Sequence, residues 1–500
     1  MCNPLRHSLR AISGSTSIVL AVVLSSSSAS YGASTASAPA ASPAAQLSAE
    51  TCLGLTRRDV SGDVGTSVQI SSAKIDGDTC VVEGIANPQI HFRLILPTRN
   101  WNGKILEIGN AAMAGYVPRD FSVSGAANPV ASGYAVIVTD GGHSANPLEA
   151  KWADQNLPAL IDYSFRAVHI GALTGKALVK QAYGLPARLA YFAGCSNGGR
   201  EALKLAQDFP ADFDGIIAGA PSMRMANIYL NLYWMGKNIG AARQGGAFRP
   251  EALKLLHANA VKLCSKVSGL SHGNLVHPER CTVTIDHLAC SADTSQTNCL
   301  TAQEVADAKA AYRGPERRDG SLVAPASALP GSELEWGVMA FPPMARYPLD
   351  VYRYIAFGAP PSPGWNGDQP DLETYPAAMM STESLWSATN PDLRAFKARG
   401  GKLLSYMGWN DAVGGVHDTV DYYRTTRRTM GGPAQTSDFY RLFMVPGMGH
   451  CTGGSGAYQI NYLSYLERWI EEGKPPASLR GKHPAAAGQE AFEEAIPPFK

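Results

Sequence analysis

The 500-residue chain lacks four signals, and each absence closes off a class of function. Charge of either sign is not in excess: 43 Lys and Arg stand against 42 Asp and Glu, net +1, with no basic tract. Nucleic acid and strongly charged partners fit that balance poorly, and a small-molecule substrate fits it better. Beyond the N-terminus there is no apolar run of about 18 residues, the length a membrane-spanning helix needs. No C-x-x-C pair occurs and the histidines are scattered, so zinc-ligand spacing is missing. No internal repeat is visible.

The first positive signal is at the N-terminus. Arg6 and Arg10 precede an apolar run from Ile18 to Leu24, and small residues including Ala29, Ala33 and Ala36 follow. This layout predicts a secretory signal over 1–36, with cleavage near Ala33 to Ala38, and its apolar core is too short to span a bilayer. Residues 37–50, rich in Ala, Ser and Pro, are expected to be a flexible leader. Export changes the reading of the nine cysteines. Loss of Cys2 with the signal leaves Cys52, Cys80, Cys195, Cys264, Cys281, Cys290, Cys299 and Cys451, an even set in an oxidising compartment. Disulfides are then expected rather than metal ligation or thiol chemistry, in a secreted or periplasmic protein with no membrane attachment after signal removal.

Residues from about 85 onward alternate strand and helix patterns. Strands are expected at 90–96, 104–108, 134–138, 190–193, 215–218, 402–406 and 442–445, and helices at 163–183, 200–207 and 462–471. The alternation predicts an α/β fold with a mostly parallel sheet covered on both faces. Residues 51–221 and 396–500 form its two parts. Between them, 222–395 carries four clustered cysteines and the proline-rich GAPPSPGWNGDQP of 358–370, and reads as an inserted domain above the sheet.

Within the first part, Gly194-Cys195-Ser196-Asn197-Gly198 follows a strand and opens a helix. It matches G-x-S-x-G, a tight turn that holds a serine hydroxyl out at a helix N-terminus. The same residues also suit an ordinary turn that needs small side chains. A nucleophile needs a base and a group to orient it, in the chain order serine, acid, histidine. Asp411, in GWNDAVGG, and His450, in PGMGHC, each follow a late strand in that order. Asp418 and His417 are the rivals, further into the next helix. His143 and His169 do not fit the order and are expected to be structural. Oxyanion donors are expected from the Asn197 N–H and from Asn110, Ala111 or Ala112, in the small-residue loop after the 104–108 strand.

GCSNGGRE at 194–201, DFDGIIAGAP at 212–221, GGKLLSYMGWND at 400–411, DYYR at 421–424 and GMGHC at 447–451 resemble the tannase/feruloyl esterase family, which includes mono(2-hydroxyethyl) terephthalate hydrolases. The resemblance implies an α/β-hydrolase core with a large lid, acting on esters of aromatic acids of feruloyl, galloyl or terephthaloyl type. It implies Ser196 as nucleophile, Asp411 as acid and His450 as base, with an acyl group carried on Ser196 and no cofactor. It also implies the pairs Cys195–Cys451, Cys264–Cys281, Cys290–Cys299 and Cys52–Cys80, where sequence alone permits on the order of a hundred connectivities. Two rival readings share the fold: an acyltransferase using an alcohol in place of water, and a catalytically silent binding protein. The chain departs from the family at the lid loop that often binds calcium, where CSKVSGLSHGNLVHPERC has Ser265, Ser268, His272 and His277 at positions usually held by aspartate. No metal is expected there. Acid specificity is expected from lid aromatics, among which Tyr229, Tyr233, Trp234, Phe341, Phe357, Trp365 and Trp386 are available.

Overall fold

The computed structural model describes residues 46–119, 125, 127–291, 298–356, 369–485 and 490–500. The expected signal, Cys2, Phe357 and Trp365 lie outside them. Among the described residues, nine strands form one sheet: β1 (Val68–Asp76), β2 (Thr79–Ala86), β3 (Ile90–Pro97), β4 (Lys104–Ile108), β5 (Ala135–Thr139), β6 (Leu189–Cys195), β7 (Gly215–Gly219), then β10 (Lys402–Gly408) and β11 (Tyr440–Val445). Between β7 and β10, β8 (Leu270–Ser271) and β9 (Asn274–Leu275) make a separate small hairpin, and β12 (Leu479–His483) pairs with β13 (Phe492–Ile496) near the C-terminus.

The sheet order is β1-β2-β3-β5-β4-β6-β7-β10-β11. From β5 to β11 neighbours are parallel, and β1, β2 and β3 extend the edge antiparallel. The expected strands all form. β5 and β7 are buried at every position, which is why they read as continuous apolar runs. The helix expected at 163–183 spans Ala167–Tyr183, its first turn being a π-turn over Asp162–Arg166. The expected leader ends earlier than residue 50: Leu47 is buried and Ala49–Gly54 is helical, with Cys52 bonded to Cys80 on β2.

Residues 222–395 contribute no strand to the large sheet among the described residues. They contain the helices Met225–Asn238, Pro250–Ser268, Ala302–Arg313, Pro343–Tyr354 and Tyr375–Trp386. Their apolar faces meet in a cluster centred on Tyr229, Trp336 and Trp386, joined from the sheet side by Met113, Tyr163 and Ala412. Two disulfides, Cys264–Cys281 and Cys290–Cys299, lie wholly inside this segment.

Candidate active site

Ser196 sits between β6 and the helix Asn197–Asp208, with φ 63° and ψ −118°, a conformation that non-glycine residues adopt only when their surroundings enforce it. Close packing does the enforcing. A Cβ at Gly194 would stand 2.5 Å from the carbonyl carbon of Gly198, and one at Gly199 would stand 2.2 Å from the Gly219 carbonyl oxygen. The backbone therefore turns on itself without room for side chains, and the serine side chain projects from the turn.

The Ser196 hydroxyl lies 2.9 Å from His450 Nε2, and His450 Nδ1 lies 2.8 Å from Asp411 Oδ2. Asp411 is fully buried, and its Oδ1 accepts the N–H groups of Val413 at 2.7 Å and Gly414 at 2.8 Å. With the carboxylate so held, Nδ1 is the donor to Asp411 and Nε2 is left to accept the serine proton. Burial opposes the imidazolium, but the Asp411 charge and its hydrogen bond outweigh it, and the His450 pKa is raised above its ordinary value. The structure thus brings Ser196 together with Asp411 and His450, both more than two hundred positions further along the chain.

The rivals stand elsewhere. Asp418 accepts both bonds from Asn227 Nδ2 at 3.1 Å and faces Arg224, and burial lowers the His417 pKa below its ordinary value. His169 pairs with Asp212 at 2.7 Å and stacks on Phe209. His143 is buried against Trp152, with ring centroids 3.6 Å apart, and burial lowers its pKa to about 4.

The oxyanion expectation needs one correction. The Asn110 N–H is not available, because it donates to Glu201 Oε2 at 2.8 Å. Among the described residues, the Asn197 and Ala111 N–H groups have no hydrogen-bond partner, and both residues line the cavity beside Ser196. Glu201 was not singled out by sequence. It is buried, and its other oxygen accepts Asn110 Nδ2 at 3.3 Å and Asn197 Nδ2 at 3.1 Å. One carboxylate thus ties the loop after β4 to the helix after Ser196. Its neighbour Arg200, with no exposed surface, donates to Asn197 Oδ1 at 2.7 Å and to the carbonyls of Tyr163, Ser164 and Trp386. Both residues lie within the GCSNGGRE stretch, and a charged pair opening a helix that should be buried was the signal available.

Cys195 and Cys451 are bonded, with Cα atoms 5.9 Å apart, so the residues next to the serine and the histidine are covalently joined. The other three bonds also match the expected pairing.

These groups open into a cavity of about 1130 Å³. One wall comes from the helices Met225–Asn238 and Pro343–Tyr354, with Met225, Ile228, Tyr229, Leu232, Met344 and Tyr347. The other comes from the sheet face covered by the helix Tyr462–Glu471, with Ile108, Ile217, Tyr406, Tyr458 and Tyr465. Of the described lid aromatics singled out by sequence, Tyr229 lines the cavity; Tyr233, Trp234, Phe341 and Trp386 do not. Tyr347, whose hydroxyl is 3.0 Å from that of Tyr229, was not anticipated.

A family model described as "Tannase and feruloyl esterase" matches residues 73–347 and 368–492. The chain belongs to that family. It is 31% identical over 406 residues to a probable feruloyl esterase B of Aspergillus niger, covering 78% of this chain and 76% of that protein. A probable feruloyl esterase B-2 of Aspergillus terreus is 29% identical over 450 residues, covering 85% and 82%. In structure, the chain superposes on feruloyl esterase B from Aspergillus oryzae with a TM-score of 0.77 at 25% identity, over 90% of this chain and 95% of that one. The tannin acyl hydrolase from Aspergillus niger gives 0.67 at 19%, over 87% of each, a likeness of fold. The fold is that of the α/β-hydrolases.

Proposed function

We propose that this family member hydrolyses carboxylic esters of aromatic acids through an acyl-enzyme on Ser196. The observation that carries the reading is the hydrogen-bonded chain from the Ser196 hydroxyl through His450 to a fully buried Asp411, on the floor of a cavity walled by aromatic and aliphatic side chains. His450 Nε2 takes the serine proton as Oγ attacks the ester carbonyl. Asp411 keeps the imidazole oriented and stabilises its charge. The Asn197 and Ala111 N–H groups face the developing oxyanion. His450 then protonates the departing alcohol, and water, deprotonated in turn by His450, releases the acid from Ser196. The names of the relatives support the aromatic acid, and the segment 222–395 serves as the lid that encloses its ring. The signal-like N-terminus and four disulfides support export, to the periplasm or beyond.

A fluorophosphonate probe, followed by peptide mapping, is expected to label Ser196. Absence of label would favour a silent binding protein. Hydrolysis of feruloyl, galloyl and terephthaloyl monoesters, assayed with and without an added alcohol, separates hydrolase from acyltransferase by the product formed.

A further inference from the structure

The two walls of the cavity differ in charge. Among the described residues the lid wall has no charged side chain, whereas the other wall carries Arg468, Arg480 and Lys482. Among the described residues lining the cavity there is no Asp or Glu. Arg480 and Lys482 share a single carboxylate outside the lining, Glu493, at 3.2 and 3.0 Å, so that group neutralises one of the two. Arg468 has no carboxylate partner among the described residues. Its Nε donates to the Ser464 carbonyl at 3.3 Å and its guanidinium lies 4.7 Å from the Tyr465 ring, and the residue lines the cavity. This wall also includes Cys195 and Cys451, the neighbours of the serine and the histidine, the aliphatic Ile108 and Ile217, and the polar side chains of Tyr458, Gln459, Asn461 and Tyr465.

An ester held at Ser196 places its acid and its alcohol on opposite sides of the reacting carbonyl. The flat acyl ring belongs against the uncharged lid wall, where burying apolar surface is favourable. The alcohol then lies along the cationic wall. We propose that this wall is an alcohol-side subsite for a carboxylate, so that the preferred substrates are aromatic-acid esters whose alcohol bears a negative charge. The inference rests on the ester-hydrolase reading above. Because these cations are largely exposed and screened by salt, their effect is modest and falls as ionic strength rises.

The test uses two esters of p-hydroxycinnamic acid, one with hydroxypropanoate and one with the matching hydroxypropanamide, which differ in charge and hardly in shape. At low salt the carboxylate ester is expected to have a kcat/KM about tenfold higher, chiefly through KM, and the advantage is expected to shrink in high salt. The combined variant Arg468→Gln, Arg480→Gln, Lys482→Gln should bring the ratio of the two esters close to one. Should the loss of both partners of Glu493 unfold the β12–β13 hairpin, Arg468→Gln alone, on the helix, is expected to lower the ratio about threefold. Equal kcat/KM for the two esters overturns this inference alone. No hydrolysis of either ester overturns the ester-hydrolase reading and this inference with it. A larger gain from a carboxylate on the acid ring than on the alcohol also overturns it, since the charge would then be read from the other side.

Discussion

The sheet and the lid solve opposite problems with the same chain. At the strand ends the sheet holds polar and charged groups out of water: Arg200, Glu201 and Asp411 are all buried, and each has its hydrogen-bonding atoms directed at named partners. The lid buries Trp336 and Trp386 and offers the cavity aliphatic and phenolic surface. A buried charge is costly unless satisfied, so its geometry is over-determined; an apolar wall tolerates many packings. Changes in the strand-end network should therefore affect rate, while changes in the lid should affect which substrate is held.

The sharpest test of that contrast is the triad. Ser196→Ala and His450→Ala are each expected to lower kcat by on the order of 10⁴-fold or more, with the double variant hardly worse, because the two act as one unit. Folding should be unchanged by circular dichroism. Turnover near that of the parent in either single variant would remove the assignment.

Glu201 comes next. As a positioning residue it acts through the Asn110 and Asn197 amides, so Glu201→Gln, which presents an N–H₂ where one acceptor stood, should loosen the oxyanion donors. A fall in kcat of about 10²-fold is expected with KM little changed, the size seen when one oxyanion donor is lost. A matching loss of affinity for a tetrahedral boronate inhibitor, with no loss for the product acid, would distinguish displaced donors from general instability. Lid variants such as Tyr347→Phe should show the reverse pattern, with KM shifting between acids and kcat nearly constant.

Replacing both Cys195 and Cys451 with alanine should have a smaller effect on rate and a clear one on stability. The bond spans 256 positions of sequence and joins the residues next to Ser196 and His450. Its loss is expected to cost about 2–5 kcal/mol of stability and, in the surviving folded protein, several-fold in kcat as the serine and histidine loops drift. A free thiol at either cysteine in the exported protein, found by non-reducing peptide mapping, would contradict the pairing.

How much of this was legible in the sequence follows from the same contrast. Parallel strands buried on both faces, such as Gly215–Gly219, read directly as apolar runs, and strand-end loops holding Ser196, Asp411 and His450 read from turn chemistry and chain order. The hairpin of β1 and β2 did not: VQISSAKID loses its alternation at the bulge between Ile70 and Ser72 and is exposed on both sides from Lys74 to Asp76, although the Gly77-Asp78 turn between the two strands was a usable hairpin signal. The Asn110 N–H looked free because nothing local shows that Glu201, some ninety positions later, takes it. Tyr347 and Tyr406 escaped because which aromatic faces a cavity, rather than a core, depends on helix packing that leaves no local pattern.

The smallest expected effect is in the lid, and it asks whether that region is held by covalent bonds and side chains alone. In the loop closed by Cys264–Cys281, Ser268 Oγ accepts the His277 N–H at 2.8 Å, His272 stacks on Phe492 with centroids 3.9 Å apart, and Asn274 Nδ2 reaches the Ser455 carbonyl at 3.2 Å. These contacts fix the loop from within and tie it to the segment after His450. Calcium takes about 6–8 oxygen ligands and relies on several carboxylates to balance its charge. Glu279, 3.4 Å from His277, is the loop's one acidic side chain. A ligand that binds only the folded state must raise its melting temperature, so calcium and chelator should leave the Tm of this protein within a degree of each other. Removing the carboxylate by Glu279→Gln should not change that outcome. A calcium-dependent rise of several degrees would show that backbone carbonyls and Glu279 together hold the ion.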